Sequence, residues 1–343
     1  PLHAFSSVYF REGKKLFGYS ESNYLSARAI MEAAEDEKHF LKEPIDSMLP
    51  AENSIKINDF MRFYNDPVRF FLEHQLGLKL PDRLRTEVQD SEPFRIDGLC
   101  AYQIKRELVE NRLRDGDERM VFEKKRVEGV LPVGAPGDYL FNDVRMDAGA
   151  LAEKIAPYLK TPALKNLDVD FSFGEYRING VLDSFHQDCR ISYRPAKLKM
   201  KDYLHVWIAH VILNASGAGD YPKTSLLAGE DGFWRFDPPA DATDILRLIE
   251  YYRWGHTRPL KLFARSSWAY ASMLWQKNKS MKVALDAAQA AWEGDRNGFI
   301  PADSEDIACK ICFGSINPID AEFQKTAEDI LMALFAHMVK AES

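Results

Sequence analysis

The sequence predicts a mixed α/β chain of the α+β kind, in which one small sheet is flanked by many helices. Three observations predict it. Between residues 166 and 194 apolar side chains alternate with polar ones, as Val169, Phe171 and Phe173, then Tyr176 and Ile178, then Ile191 and Tyr193; this is the period of half-buried strands joined by polar turns. Elsewhere the apolar residues recur at helical spacing between proline and glycine breaks. With 343 residues, 46% of them hydrophobic and 12% aromatic, the chain can also bury a sizeable core.

In chain order, residues 1–20 read as irregular with one short strand near residues 8–10, and residues 23–35 as a helix. Residues 54–77 read as two helices, the second opened by Asp66-Pro67, an acidic N-cap before a proline at the first helical position. Its apolar face of Val68, Phe71, Leu72 and Leu76 is read as core. After a polar link around residues 81–93, a helix enters through Gly98 and runs to Leu108. A break over residues 132–137 leads into a helix ending near Leu159. The strands of 166–194 follow as the one sheet that the pattern supports. Residues 199–213 are helical, and the remainder is mostly helical, with breaks at Asp237-Pro-Pro, Arg258-Pro259, residues 294–301 and Asn317-Pro318. Residues 1–50 are expected to form a connecting segment with a helix, and 51–343 the main domain.

The net charge of −7 excludes a generic DNA-coating protein, which would carry a basic excess, while leaving local basic surfaces open. No run of about 18 apolar residues is present to span a membrane, the start has no signal layout, and four cysteines are too few for a disulfide scaffold. A cytoplasmic location is expected. Because the chain starts at Pro1 without methionine, it is expected to be a segment of a longer protein.

The chemistry is concentrated in one stretch. Tyr-Arg-Ile-Asn-Gly-Val-Leu-Asp183 is followed by Cys-Arg-Ile-Ser192-Tyr193-Arg194 and by a helical run through Trp207 and His210. This is the outline of a metal-dependent nuclease core of the PD-(D/E)XK, restriction-endonuclease-like kind. Such a core needs an acid at the place of Asp183 and an acid-x-Lys on the next strand, so that paired carboxylates hold a divalent cation and the lysine steadies the attacking water. Here Ser-Tyr-Arg occupies the second element. An uncharged hydroxyl is a poor ligand for a hard cation, and arginine does not deprotonate to replace lysine. The expectation is a nuclease fold that no longer cuts, with no catalytic and no metal-binding residue; Asp183 then reads as a polar residue at a turn or strand end.

Other candidates are weaker. His205 and His210 lie five apart on a helix, on different faces, and His210 reads as a core or interface histidine. Glu12-Gly-Lys-Lys15 lacks the layout of a phosphate-cradling loop. Arg190, Arg194, Lys197, Lys199 and Lys201 stand against Asp202 alone within residues 189–203, a DNA-binding candidate whose bland counterpart is a solvated edge. Lys124-Lys-Arg126 and Lys277 with Lys279 read as solvated faces. Trp254, Trp268 and Trp275 are core or interface.

From end to end the chain resembles the RecC family, the gamma subunit of bacterial exodeoxyribonuclease V (RecBCD), in its C-terminal part. The pieces that carry the resemblance are Pro1-Leu-His-Ala-Phe-Ser with Tyr9-Phe10; Phe63-Tyr-Asn-Asp-Pro-Val-Arg69; Glu92-Pro-Phe with Asp97-Gly-Leu and Tyr102-Gln; Leu131-Pro-Val-Gly134; and Arg194-Pro with Lys197-Leu. Further along come Trp207 with His210, Ala215-Ser-Gly217, Trp234-Arg-Phe, Tyr252-Arg with Gly255, Pro259-Leu260 and Trp292-Glu-Gly294. The resemblance implies a nuclease domain related to that of the partner RecB but without its active site. Asp183 keeps one acid, Ser192 and Arg194 stand where an acid and a lysine belong, and Tyr102 stands where active relatives carry a metal-binding histidine.

The implied role is a non-catalytic scaffold that helps split duplex DNA ends on a pin, guides single strands and holds the RecB and RecD motors during repair by homologous recombination. No cofactor is implied for this chain, since ATP and Mg²⁺ would act through the partner subunits. A hairpin over residues 171–183 is a candidate pin. Related nucleases carry an iron–sulfur cluster on one upstream and three downstream cysteines; Cys100, Cys309 and Cys312 match three of those places and the last is missing, so these and Cys189 read as buried thiols. Two alternatives stay open. One is an active metal-dependent DNA exonuclease with a migrated site using Asp168, Asp170 or Glu175; the other is a protein-binding module.

Overall fold

The computed structural model describes residues 3–4, 6–10, 18–33, 40–41, 43–46, 53–81, 96–239, 243–294 and 301–341. The Glu12-Gly-Lys-Lys15 stretch, most of the link at 81–93, the Glu92-Pro-Phe piece and the boundary at 50/51 lie outside them.

Alternation in residues 166–182 produces a hairpin of β2 (Leu167–Phe173) and β3 (Tyr176–Leu182), paired from Leu167 opposite Leu182 to Phe173 opposite Tyr176. β1 (Ser54–Lys56) adds in parallel to β3, giving the order β1-β3-β2. The third predicted strand, β4 (Arg190–Tyr193), belongs elsewhere. It lies parallel to β5 (Ser225–Ala228), which runs antiparallel to β6 (Phe233–Phe236), and β7 (Met338–Lys340) completes a second, four-stranded sheet. The expectation of a single sheet is therefore corrected to two. The sheets are linked at the chain's turn between β3 and β4, where Phe185 bridges Arg190 and the Ile191 N–H donates to the Ser184 carbonyl at 3.0 Å. β5 escaped the periodicity because all four of its residues are buried, so no polar residue marks an outer face.

The helices are α1 (Glu21–Ala33), α2 (Ile57–Asn65), α3 (Pro67–Phe70, continued by a π turn at Phe71–Gln75), α4 (Gly98–Arg112), α5 (Glu118–Val127) and α6 (Ala135–Ile155, extended by a 3₁₀ turn at Ala156–Leu159). After the first sheet come α7 (Met200–Ala215), α8 (Thr243–Gly255), α9 (Ser266–Ala271, continued by a π turn at Ser272–Gln276), α10 (Met281–Glu293), α11 (Ile307–Phe313) and α12 (Ala321–His337). Their starts follow the capping chemistry of the sequence. The Asp66 carboxylate accepts the Arg69 N–H at 3.1 Å, with Pro67 at the first helical position, and Asp97 accepts the Cys100 N–H at 2.7 Å. Residues 8–10, expected as a strand, instead form part of a 3₁₀ turn, Ser7–Phe10, closed by the Tyr9 N–H on the Ser6 carbonyl.

Burial divides the core into three clusters that place the second sheet between layers. α7 lies against one face, where Leu227 and Phe236 join Trp207, Ile208 and Val211. On the other face Ile191, Leu226 and Phe233 meet Leu108, Phe141, Val144 and Leu151 of α4 and α6. Successive residues Leu226 and Leu227 thus serve opposite layers, as a pleated strand requires. The third cluster joins α3 to the helices after α8 through Val68, Phe71, Leu72, Phe263, Tyr270, Trp292 and Phe323, so the apolar stripe of α3 is core as expected.

Candidate functional site

Asp183 follows the last residue of β3, and its side chain is mostly exposed. Arg190, the first residue of β4, is buried to 2% exposure beneath it. The Arg190 Nε–H donates to the Asp183 carbonyl at 3.0 Å, and Nη2 lies 3.7 Å from the Asp183 carboxylate. Burial lowers the Arg190 pKa while Asp183 opposes that shift; a guanidinium starts so far above neutrality that it keeps its charge. Asp183 therefore already has a cation beside it.

Ser192 sits half-buried within β4, opposite Leu227 of β5. Arg194, just past the strand, donates from Nη1 to Asp202 at 3.1 Å and lies 5.4 Å over the Tyr102 ring. The second Asp202 oxygen accepts the Lys199 N–H at the start of α7, at 2.8 Å. The fold thus brings Tyr102 of α4 to Arg194 and Asp183 to Arg190, and the nearby Asp202 is consumed by an ion pair and a helix cap. A divalent cation needs two or more free oxygen ligands, and these carboxylates do not offer them. Among the described residues no three His, Cys, Asp or Glu side chains group as a metal ion would require.

The remaining candidates are placed as follows. Arg190, taken from sequence as a DNA contact, is corrected: it is a buried structural cation. Arg194 is half-buried and paired, whereas Lys197, Lys199 and Lys201 are exposed. Lys124, Lys125 and Arg126 are held by Glu107, Glu128 and Glu123. Asp170 is clasped by Arg177 through two 2.7 Å bonds, which lower its pKa, while Asp168 shares the exposed row of β2. Glu175, in the hairpin turn, accepts the Tyr176 hydroxyl at 2.7 Å.

The hairpin is not free-standing. Phe171, Phe173 and Tyr176 pack against the first core cluster, and Arg253 of α8 donates to the Tyr176 hydroxyl at 2.6 Å. The apolar side chains of the hairpin considered as a pin thus rest on the core, and its tip is joined to α8 by one exposed hydrogen bond.

The thiols are buried apart from half-buried Cys100. Cys309 and Cys312 belong to the third cluster and Cys189 to the second, so they do not gather. Burial pushes Cys189 up to about 11 and Cys312 up to about 12, which disfavours the thiolate that a metal needs. Trp268 and Trp275 pack partly buried against the first cluster, and Trp254 is 41% exposed beneath Arg258.

His210 is core, as its sequence context indicated. Nδ1 faces the Ser225 hydroxyl at 3.0 Å and Nε2 the Asp237 carbonyl at 3.1 Å, so a neutral ring donating from Nε2 and accepting at Nδ1 satisfies both. Burial drives its pKa down to about 4. The unfolded chain takes up the proton first, so this contribution is complete above about pH 6.5 and falls as pH drops toward 4. The loss from this ring is about 3 kcal/mol. Urea unfolding at neutral pH and near pH 4 measures it, and His210→Gln should flatten the difference; His205 and His256, also lowered by burial, act in the same direction.

No described helix is long and apolar enough to cross a membrane. The family model for the RecC C-terminal domain matches residues 52–275. The RecBCD enzyme subunit RecC of Escherichia coli (strain K12) is 26% identical over 306 residues, which is 85% of this chain and 26% of that protein. The protein of the same description from Buchnera aphidicola subsp. Schizaphis graminum is 22% identical over 281 residues, 79% of this chain and 26% of the relative. That of Haemophilus influenzae is 26% identical over 222 residues, 62% of this chain and 19% of the relative. The chain spans about a quarter of the length of the curated relatives it matches.

Proposed function

The chain belongs to the RecC C-terminal domain family, and on that premise we propose that it is a non-catalytic scaffold part of an exodeoxyribonuclease V (RecBCD) helicase–nuclease. In this reading it docks RecB and RecD in the cytoplasm, helps split double-stranded DNA ends and guides the single strands during recombinational repair. It needs no cofactor of its own; ATP and Mg²⁺ act through the partner subunits. The core is read as a degenerate PD-(D/E)XK nuclease, with the β3 end, β4, α7 and the parallel β5 in the places of the catalytic elements.

One observation carries the non-catalytic reading. Two acids at or beside the positions read as catalytic are engaged by arginines of the same chain, Asp183 by Arg190 and Asp202 by Arg194. In this reading the Arg190 guanidinium balances the Asp183 charge that a metal would balance in an active nuclease, and it does so without polarising a water.

The test combines activity with stability. The chain, assembled with its partner subunits, is compared with an assembly carrying Asp183→Ala, using linear and single-stranded DNA with Mg²⁺ or Mn²⁺. Cleavage is expected to be identical in the two, and the substituted chain is expected to lose about 1 kcal/mol of stability, because a buried cation loses part of its compensation; the exposure of Asp183 keeps the cost below that of a fully buried pair. Metal-dependent cleavage that disappears with Asp183 would instead establish the migrated-site alternative.

A further inference from the structure

The segment from β4 into α7 presents its cations in a regular row. Along residues 197–201 burial alternates strictly: Lys197, Lys199 and Lys201 are exposed, while Leu198 and Met200 are 9% and 3% exposed and anchored in the core. The backbone is extended at Lys199, with φ −118° and ψ 160°. Alternate residues of an extended segment stand about 6.6 Å apart, so the two lysines preceding the helix point the same way from one ridge, with Lys201 continuing the row into its first turn.

The ridge is rigid. The Leu198 N–H donates to the Asp231 carboxylate at 2.9 Å, the Ala196 carbonyl accepts the Glu230 N–H at 3.2 Å, and the Lys199 N–H is held by Asp202. Among the described residues none of the three ammonium groups has a hydrogen-bonding or ion-pairing partner. Asp202, the one acid of the segment, is already bound to Arg194. Burial, then the charges of Arg194 and Lys201, lower the Lys199 pKa, and Asp202 opposes them; Arg265, at the start of α9, is turned to the Pro301 carbonyl, to which its guanidinium donates at 2.7 Å.

Stability alone does not favour this arrangement. Lys201 occupies the first turn of α7, where the helix dipole favours acids, and the neighbouring cations repel one another. A row of unneutralised charge held on a fixed backbone is suited to an external polyanion. Tyr203 and Trp268, on the helices that follow, stack on each other at 4.5 Å and pack against the core, so what the row itself offers is charge for phosphate contacts.

We infer that Lys197, Lys199 and Lys201 form a track for the sugar–phosphate backbone of a single DNA strand, bound without regard to sequence. The lysines lie in a single row, which follows one phosphate backbone rather than two. The inference rests on the DNA-guiding role proposed above and gives that role a surface.

The experiment uses the chain assembled with its partner subunits, and fluorescent single-stranded probes of oligothymidine and of mixed sequence, beside a blunt duplex. Binding is followed at salt from about 50 to 200 mM. Each lost single-strand phosphate contact flattens the slope of log K against log salt by about 0.7. Lys197→Gln/Lys199→Gln/Lys201→Gln should flatten it by about 2, equally for both single-stranded probes. Lys277→Gln/Lys279→Gln should leave it unchanged. An unchanged slope in the triple variant overturns the track while leaving the scaffold reading standing; a change confined to the duplex probe overturns the single-strand assignment. If the unsubstituted chain fails to assemble with the partners, the scaffold reading itself falls.

Discussion

Trp207→Ala is expected to lower the unfolding free energy by about 4 kcal/mol, the largest effect of any single substitution considered. Trp207 is fully buried at the centre of α7. Its ring stacks on His210 at 5.8 Å and on His337 at 5.1 Å, and lies tilted 6.2 Å from Phe236. One side chain therefore ties α7 to α12 and to the second sheet, and truncation leaves a cavity that three elements must collapse to fill. Domains of this kind are stable by about 5–15 kcal/mol, so the variant approaches the unfolded state at moderate temperature. Urea unfolding followed by circular dichroism measures the loss. Trp207→Phe should retain most of the stability, since it keeps a ring in place and removes an indole N–H that is buried without a partner. An alanine variant as stable as the parent would show that the α7 layer is not the centre of the core.

Gly255→Ala is expected to cost about 3 kcal/mol through overpacking. A β-carbon at this last position of α8 would lie 2.1 and 2.3 Å from two edge carbons of the Phe63 ring, far inside van der Waals contact. That ring cannot withdraw, because it is fully buried and set edge-on to Tyr64, Phe70 and Tyr252 at 4.9, 5.4 and 5.1 Å, with His256 stacked at 6.3 Å. Coupling provides the sharper test. Phe63→Leu frees space at the point of collision, so the double variant should be more stable than the two separate losses predict, by at least about 1 kcal/mol. Simple additivity in a double-mutant cycle would mean that the two residues do not compete for the same space.

The same contact explains part of the family resemblance. Phe63-Tyr-Asn-Asp-Pro-Val-Arg69 and Tyr252-Arg with Gly255 are far apart in the chain, yet Phe63 packs on Tyr252 and leaves room for nothing larger than glycine at 255. The close approach of α2 to α8 requires both pieces together. Other recognisable pieces are local devices, as with the Asp66-Pro67 cap of α3.

Several features were open to sequence reasoning because their cause is local. The hairpin followed from alternation, since each side chain's face depends only on its parity. Helix starts followed from capping residues within reach of the next N–H groups. That residues 192–194 hold no acid-x-Lys pair also needed no structure, because Ser192 and Arg194 lack the charge and the proton chemistry of such a pair. Lys197, Lys199 and Lys201 were visible as a basic stretch for the same reason.

What the tertiary structure decided depends on distant partners. β4 reads like a third strand of the hairpin, but its parallel pairing with β5, fully buried and without alternation, assigns it to a second sheet. Arg190 and Lys197 are equally basic as letters; burial under Asp183 makes one a structural counter-ion, and exposure leaves the other free to meet an anion. The hairpin is local in its pairing, but only the folded chain brings Arg253 of α8 to the Tyr176 hydroxyl at its tip. Covalent neighbours set a residue's backbone preference and charge, whereas burial and pairing are set by segments that only the folded chain brings into contact.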